Sequence, residues 1–278
     1  RRLERRADLH LHTHYSDGTF SPEEVVSRAK ALGLAAISFT DHDTLQALPR
    51  AVTASGADLE LISGVELTVL FKDRELHLLG YGFRTDDPGL VEFLTRMQRY
   101  RLDRIQAMID RLRAEGITVT LKEVRQIAGI GSVGRPHLAE ALVKRGAVRS
   151  MEEAFQKYIG DQAPCFVKGA TLTVPKGVEL LRNAGGVAVL AHPFHMVEDS
   201  WFPELVAAGI QGIEVVHSDH GSAVSKRYRR LAELHRLLVT GGSDCHGFRN
   251  SKGPLIGTVT VPYEWVERLK EVAREGKS

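Results

Sequence analysis

Histidine is the residue to start from: the chain of 278 residues carries 12, and they gather at the ends of apolar runs. The first run closes as Asp8-Leu9-His10-Leu11-His12. Residues two apart on a strand share a face, so His10 and His12 project together while Leu9 and Leu11 turn to the packing layer. Two imidazoles converging at a strand end make half of a divalent-metal site, although exposed or paired histidines would read the same way in isolation. Asp17 follows in Ser16-Asp17-Gly18, which alone is ordinary turn chemistry. A second run closes Phe39-Thr40-Asp41-His42-Asp43, and a third ends Gly64-Val65-Glu66. In Leu76-His77-Leu78-Leu79-Gly80 the histidine sits inside an apolar strand, where a satisfied core histidine is the simpler reading. Residues 185–193 form a buried run ending at His192-Pro193. Residues 238–246 place Asp244 and His246 two apart, repeating the geometry of the first pair.

The elements that must position these groups alternate. Strands are expected at residues 7–11, 35–40, 60–68, 75–83, 187–191, 212–216 and 237–240, with a hairpin across the polar link 72–74. A helix at 22–32 opens on Ser21 with Glu23 and Glu24 in its first turn, and another starts near Thr44. Repeated strand–helix units predict an α/β fold with a mainly parallel sheet, as a closed or distorted barrel. Every histidine and carboxylate singled out lies at or just past a strand's C-terminal end, apart from the mid-strand His77. Those ends converge on one face of a barrel, and scattered core histidines would have no reason to collect there. The rhythm breaks from 87 to 165, where helices are expected at 89–114, 121–128, 136–144 and 151–158, with a brief alternation at 117–120. The organisation expected is a barrel from 1–86 and 166–278, with 87–165 as a helical insertion covering the active-site mouth.

Bulk properties narrow the class. Composition is 43% hydrophobic and 26% charged, as in ordinary globular enzymes. The net charge of +2 neither requires nor excludes a nucleic-acid partner. The run Arg1, Arg2, Arg5 and Arg6 reads as a solvated lead-in to the first strand rather than a phosphate-binding arm. Cys165 and Cys245 are far apart in sequence, so a reducing cytoplasm is expected and no disulfide framework. No stretch approaches the ~18 apolar residues of a membrane span, and no signal-peptide pattern is read. Gly129-Ile130-Gly131-Ser132-Val133-Gly134 matches a dinucleotide fingerprint, but an expected helix precedes it where the fingerprint needs a strand. Cys245, between Asp244 and His246, alternates away from them as packing.

Taken together, Asp8-Leu9-His10-Leu11-His12-Thr13 with Ser16-Asp17-Gly18, Thr40-Asp41-His42, Gly64-Val65-Glu66, Ala191-His192-Pro193 and Ser243-Asp244-Cys245-His246 resemble the polymerase-and-histidinol-phosphatase (PHP) phosphoesterase family. The motifs occur in order and span nearly the whole chain. The resemblance implies a distorted (β/α)7 TIM-like barrel and two or three divalent ions. By position it implies His10, His12, Glu66 and Asp244 at a first ion, Glu66 as a bridge with His77 and His192 at a second, and Asp17, His42 and His246 at a third. Mixed imidazole and carboxylate ligation suits Mn, Fe or Zn. Two such ions ~3.5–4 Å apart can share a water, lower its pKa toward ~7 and present hydroxide to phosphorus. Glu66 and Asp244 are thereby catalytic candidates.

The insertion resembles that of one branch, the nucleoside 3′,5′-bisphosphate phosphatases and 5′→3′ exoribonucleases, through Gly134-Arg135-Pro136-His137-Leu138-Ala139. A guanidinium at a helix start can grip phosphate oxygens bidentately beside exposed N–H donors, so Arg135 and His137 are candidates for a phosphate clamp. The plainer alternative is that Arg135 caps a surface helix. His195 and His217, near the mouth, could touch substrate, protonate a leaving group or orient a ligand. His14 is read as support for the first loop, and His220 and His235 as packing or surface residues. The expected partner is a small nucleotide or the 5′ end of a short RNA, with no membrane and no obligate protein partner.

Other classes stay open at this point. A barrel amidohydrolase also begins His-x-His and ends with a strand aspartate, but it wants a lysine ligand where Glu66 stands. A histidinol-phosphate-type phosphatase shares the fold, and the Arg135–His137 segment favours nucleotides over it. A non-catalytic metal-binding module is disfavoured by the near-complete ligand set.

Overall fold

The computed structural model describes residues 5–169, 172–194, 196–249 and 253–275. Strand β1 (Arg6–Leu11) buries Ala7, Leu9 and Leu11. Helix α1 (Pro22–Ala31) begins in a capping box: Ser21 Oγ accepts the Glu24 N–H at 3.2 Å and the Glu24 carboxylate accepts the Ser21 N–H at 2.7 Å. Strand β2 (Ala36–Phe39), helix α2 (Ala47–Ser55) and strand β3 (Glu60–Ile62) follow, β2 running parallel to both β1 and β3.

The single strand expected at 60–68 is two. The chain leaves β3 and starts β4 (Gly64–Phe71) in a different sheet. Gly64 is the crossing point, because a Cβ there would lie 2.1 Å from Ser38 Oγ and 2.5 Å from the Phe39 carbonyl oxygen. Strand β5 (Arg74–Tyr81) pairs antiparallel with β4. Lys72 and Asp73, at φ 47° and 62°, form the connecting turn, whose left-handed backbone suits the twist of a two-residue hairpin.

Helix α3 (Pro88–Ala114) starts at Asp87, whose carboxylate accepts the Leu90 N–H at 3.0 Å. Its first half buries Leu90 and Leu94 against the sheet core, and its second half buries Ile105, Met108, Ile109 and Leu112 in a separate apolar cluster. That cluster is completed by α4 (Leu121–Ala128), α5 (Arg135–Lys144) and α6 (Met151–Ala154), which runs on through a π turn, Phe155–Ile159. Residues 117–120 form no strand. Thr120 instead caps α4, accepting the Glu123 N–H at 3.3 Å.

The chain then returns through α7 (Val174–Asn183), β6 (Val187–Leu190), α8 (Phe202–Ala207), β7 (Gly212–His217), α9 (Ser222–His235), β8 (Leu238–Gly242), β9 (Val261–Pro262) and α10 (Tyr263–Glu275). The architecture is α/β, with two sheets ordered β3-β2-β1-β9 and β4-β5-β6-β7-β8. The pairing is more mixed than the expected mainly parallel sheet: β4–β5, β5–β6 and β1–β9 are antiparallel. Isolated parallel bridges, Leu11 to Cys245 and His42 to Glu66, tie the two sheets together. Both bridges fall at the strand ends that carry the histidine motifs. No described helix is long and apolar enough to cross a membrane.

Candidate metal centre

His10 belongs to β1 and His12 follows it, held by its N–H on the Cys245 carbonyl at 3.0 Å. His42 lies just past β2, where the Asp43 N–H donates to the Glu66 carbonyl at 3.0 Å. Glu66 and His77 sit on the β4–β5 hairpin, His192 two residues past β6, and Asp244 and His246 past β8. Asp244 takes a left-handed backbone at φ 52°, a conformation a non-glycine residue adopts only when its surroundings impose it. Gly242 permits the approach of β8 to β1, since a Cβ there would sit 2.4 Å from the His10 nitrogen.

Glu66 stands at the centre. His10 Nε2, His12 Nε2 and Glu66 Oε2 are mutually 3.1–3.2 Å apart, and Asp244 Oδ1 lies 3.2 Å and 3.1 Å from the two imidazole nitrogens. The four ligand atoms lie within 4.8 Å of one another, close enough for all of them to reach one divalent cation. The other oxygen, Oε1, is 2.7 Å from His77 Nδ1 and 3.0 Å from His192 Nε2. A third group forms around Asp17, with Oδ1 3.2 Å from His246 Nε2 and Oδ2 3.7 Å from His42 Nε2, and His12 Nδ1 nearby at 3.7 Å. Ligand atoms also approach one another in a set the sequence reading did not foresee, His10 with Glu214 and His217.

Whether these residues fit cations can be judged from what they lack. Asp17 Oδ1, Asp244 Oδ1, His42 Nδ1 and His77 Nδ1 are buried with no hydrogen-bond partner. Such orphaned atoms are costly unless something else satisfies them, and positive ions would satisfy all four. Electrostatics agree. Burial opposes charging His10 and His12, yet Glu214, Asp244 and Glu66 hold His10 well above its ordinary pKa. Close approach of the Asp244 and Glu66 carboxylates outweighs burial and pushes His12 up to about 10. Burial likewise opposes the ionised forms of Glu66, Asp17 and Asp244, but neighbouring imidazoles hold all three well below the usual carboxylate range. This is a nest of carboxylates that demands compensating positive charge. The donors fit.

Two further aspartates brace the loops. Asp41 accepts the Thr13 N–H at 2.7 Å, Thr13 Oγ1 at 2.8 Å and Ser16 Oγ at 2.6 Å, fixing the turn that carries Asp17. Asp8 accepts the Ser243 N–H at 2.9 Å, steadying the loop of Asp244. Glu214 on β7 was missed in the sequence because a single acid within residues 212–216 carries no spacing signal. It is fully buried, with Oε1 2.8 Å from His10 Nδ1 and Oε2 accepting the His192 N–H at 2.8 Å.

A cavity of about 120 Å³ places Asp17, His42 and His77 beside Arg101, Arg104 and Arg135. Arg101 and Arg104 also escaped the sequence reading. They lie one turn apart on α3, and their carboxylate partners Asp43 and Glu75 are distant in the chain. Arg135 lines this cavity with its guanidinium held 2.5 Å from Asp161 and over the Phe155 and Phe166 rings. His137 does not line it, and this corrects the clamp expected of it. Its ring is 1% exposed and Nδ1 accepts the Gly134 N–H at 3.0 Å, so it caps the start of α5, and burial lowers its pKa to about 4. Gly131, in the segment before it, serves packing: a Cβ there would lie 2.4 Å from the His14 carbonyl oxygen.

A second cavity, of about 520 Å³, shares His42 and His77 with the first and is lined further by Glu66, His192, His217, Asp244 and His246 together with Phe194, Met196, Asp219 and His220. His217 Nδ1 accepts the Asp219 N–H at 3.1 Å and Nε2 is 3.2 Å from Asp244 Oδ2. His220 packs between Phe194, His217 and Tyr228. His195 and residues 1–4, with Arg1 and Arg2, lie outside the described residues. Cys245 is buried in the core beside β1, and Cys165 is buried in the cluster around α3 to α6.

Comparison with known proteins follows the same lines. The PHP domain family matches residues 8–160. The 5′-3′ exoribonuclease Rnm of Escherichia coli (strain K12) is 32% identical over 247 residues, 86% of this chain and 84% of that one. The 3′,5′-nucleoside bisphosphate phosphatase of Chromobacterium violaceum is 32% identical over 246 residues, 86% of each chain. A solved structure from Bifidobacterium adolescentis, assigned as a metal-dependent phosphoesterase, superposes with a TM-score of 0.87 at 28% identity, covering 96% of both chains. Another from Chromobacterium violaceum, named an amidohydrolase, gives a TM-score of 0.85 at 29% identity, again over 96% of both. Likeness of this degree across so much of the chain decides the family: the protein is a PHP-domain member, a metal-dependent phosphoesterase.

Proposed function

We propose that the protein hydrolyses phosphate esters of nucleotides, as a nucleoside 3′,5′-bisphosphate 3′-phosphatase, as a 5′→3′ exoribonuclease on short RNA, or as both. The observation that carries this reading is the flanking of one ligand set by two unlike cavities. The smaller joins ligand residues to three guanidiniums, and the larger adds Phe194 and Met196. Guanidiniums recognise phosphate oxygens and apolar walls suit a nucleoside, so a phosphorylated nucleoside finds a partner for each of its parts.

The ligand roles follow the resemblance: His10, His12, Glu66 and Asp244 at one ion, Glu66 with His77 and His192 at a second, Asp17, His42 and His246 at a third. Two or three ions of Mn, Fe or Zn suit these donors. When bound, the cations supply Lewis-acid neutralisation of phosphoryl charge and lower the pKa of water. Glu66 divides its two oxygens between the first and second groups and so sets their spacing. Arg101, Arg104 and Arg135, each steadied by a carboxylate, neutralise non-bridging oxygens as charge builds. His217 is the candidate proton donor to the leaving group. Its Nδ1 is occupied as an acceptor, so a neutral ring carries its proton on Nε2, which lies 3.2 Å from Asp244 Oδ2 in the wall of the larger cavity.

The same reading takes residues 1–86 and 166–278 as a distorted (β/α)7 barrel, supported by the bridges between the two sheets. It takes 87–165 as an insertion over the mouth, supported by that segment's own apolar cluster. The amidohydrolase alternative wants a lysine where Glu66 stands, and neither ligand-lined cavity includes one. The deciding experiment is metal quantification followed by a screen of nucleoside 3′,5′-bisphosphates, 5′-phosphorylated short RNAs, histidinol phosphate, and amide and lactone substrates. Nucleotide turnover at least tenfold above the rest is expected; preference for histidinol phosphate or an amide would overturn the reading.

A further inference from the structure

We infer that Glu214 is a positioning residue that couples the two ion-binding groups meeting at Glu66, and not itself a ligand. The inference rests on the metal-centre reading above. Each of its oxygens is already committed: Oε1 to His10 Nδ1 at 2.8 Å, Oε2 to the His192 N–H at 2.8 Å. An ionised carboxylate only accepts, so a neutral His10 keeps its proton on Nδ1 and turns its Nε2 lone pair toward Glu66 Oε2 and Asp244 Oδ1, both at 3.2 Å. The second bond fixes the backbone from which His192 reaches Glu66 Oε1 at 3.0 Å. One side chain thus orients a donor on either side of Glu66. Its place explains how, since β7 lies between β6, which leads to His192, and β8, which leads to Asp244.

Glu214 also comes near enough to His10 and His217 for the three to be considered a ligand set. The satisfaction of both its oxygens argues otherwise. The oxygens left orphaned in this cluster belong to Asp17 and Asp244, and Glu214 contributes none. Outer carboxylates that orient a ligating histidine fix its tautomer and raise its basicity, and losing one weakens metal binding about 10–100-fold.

The test uses the full chain stripped of metal, with Mn or Zn returned under chelator competition. Glu214→Gln keeps the shape but presents an amide N–H₂ to one of two donors; Glu214→Asp keeps the charge but is too short to reach both. Each should bind metal about 10–100-fold more weakly. At saturating metal, KM for a nucleoside 3′,5′-bisphosphate should not move, because Glu214 lines neither cavity. Wild-type metal affinity in both variants, or a drop in thermal midpoint with affinity unchanged, would overturn the inference. A structure of the wild type loaded with Zn is independent of how the variants fold. Glu214 Oε1 should remain on His10, and an oxygen of Glu214 within about 2.2 Å of an ion would overturn its role. If the wild type binds no metal, the metal-centre reading fails first and takes this inference with it.

Discussion

At the scale of single residues, Glu66 carries the heaviest burden, because both of its oxygens face imidazoles from different strands. Glu66→Ala should lower kcat by more than the roughly hundredfold ceiling typical of an outer-sphere change, with circular dichroism and the apo thermal midpoint close to wild type. Retention of most activity would remove Glu66 from the bridging position. Period-2 spacing at a strand end places His10 with His12 without knowledge of the fold, whereas Asp244 and His246 lie past β8 and come within 3.6 Å through a loop in which Asp244 is left-handed. Glu214 was not legible, since nothing in a lone strand acid distinguishes a buried anchor from a surface charge. His77 was ambiguous alone, and only the pairing of β4 with β5 brings it opposite Thr68 and within reach of Glu66.

At the scale of elements, the helices between residues 88 and 159 match those expected from the sequence, but which of their side chains would turn toward the ligands was not legible. Arg101 and Arg104 sit where α3 passes from one apolar cluster to the other, and that junction is a tertiary fact. Arg135→Lys removes the planar fork while keeping the charge, so KM for a nucleotide substrate should rise about tenfold with kcat less affected. An unchanged KM would confine Arg135 to its contacts with Asp161 and the phenylalanine rings. Helix α5 offers a second test. His137 is neutral in the fold, with its pKa lowered to about 4 by burial, whereas an unfolded histidine titrates near 6.5. A depressed folded pKa means the stabilisation is complete above pH 6.5 and is lost as pH falls toward 4, by about 3 kcal/mol in all. His137→Gln can still accept the Gly134 N–H but cannot take up a proton. Thermal midpoints between pH 6.5 and 4 should therefore fall less steeply in the variant, and parallel curves would show that His137 is not the group responsible.

At the scale of the whole molecule, the ligand set belongs to neither sheet alone. His10, His12 and His42 come from the sheet of β1 to β3, while Glu66, His77, His192 and Asp244 come from the sheet of β4 to β8, and isolated bridges tie the two backbones together at that end. Bound cations would join them across the gap, so metal should stabilise the entire fold. With free metal at about 100 times its dissociation constant the gain is about 2.7 kcal/mol, which for a chain of this size raises the thermal midpoint by roughly 5 °C. The pH dependence has a definite sign. His10 and His12 hold protons more tightly than ordinary imidazoles in the metal-free state, and they must release them to bind a cation. Lowering pH therefore favours the protonated, metal-free form, and the metal-induced rise should shrink steadily from pH 8 to pH 5.5 at fixed total metal. Differential scanning calorimetry with and without Mn or Zn at each pH reads this directly. A rise that grows toward acid would mean that cations bind somewhere other than among these histidines.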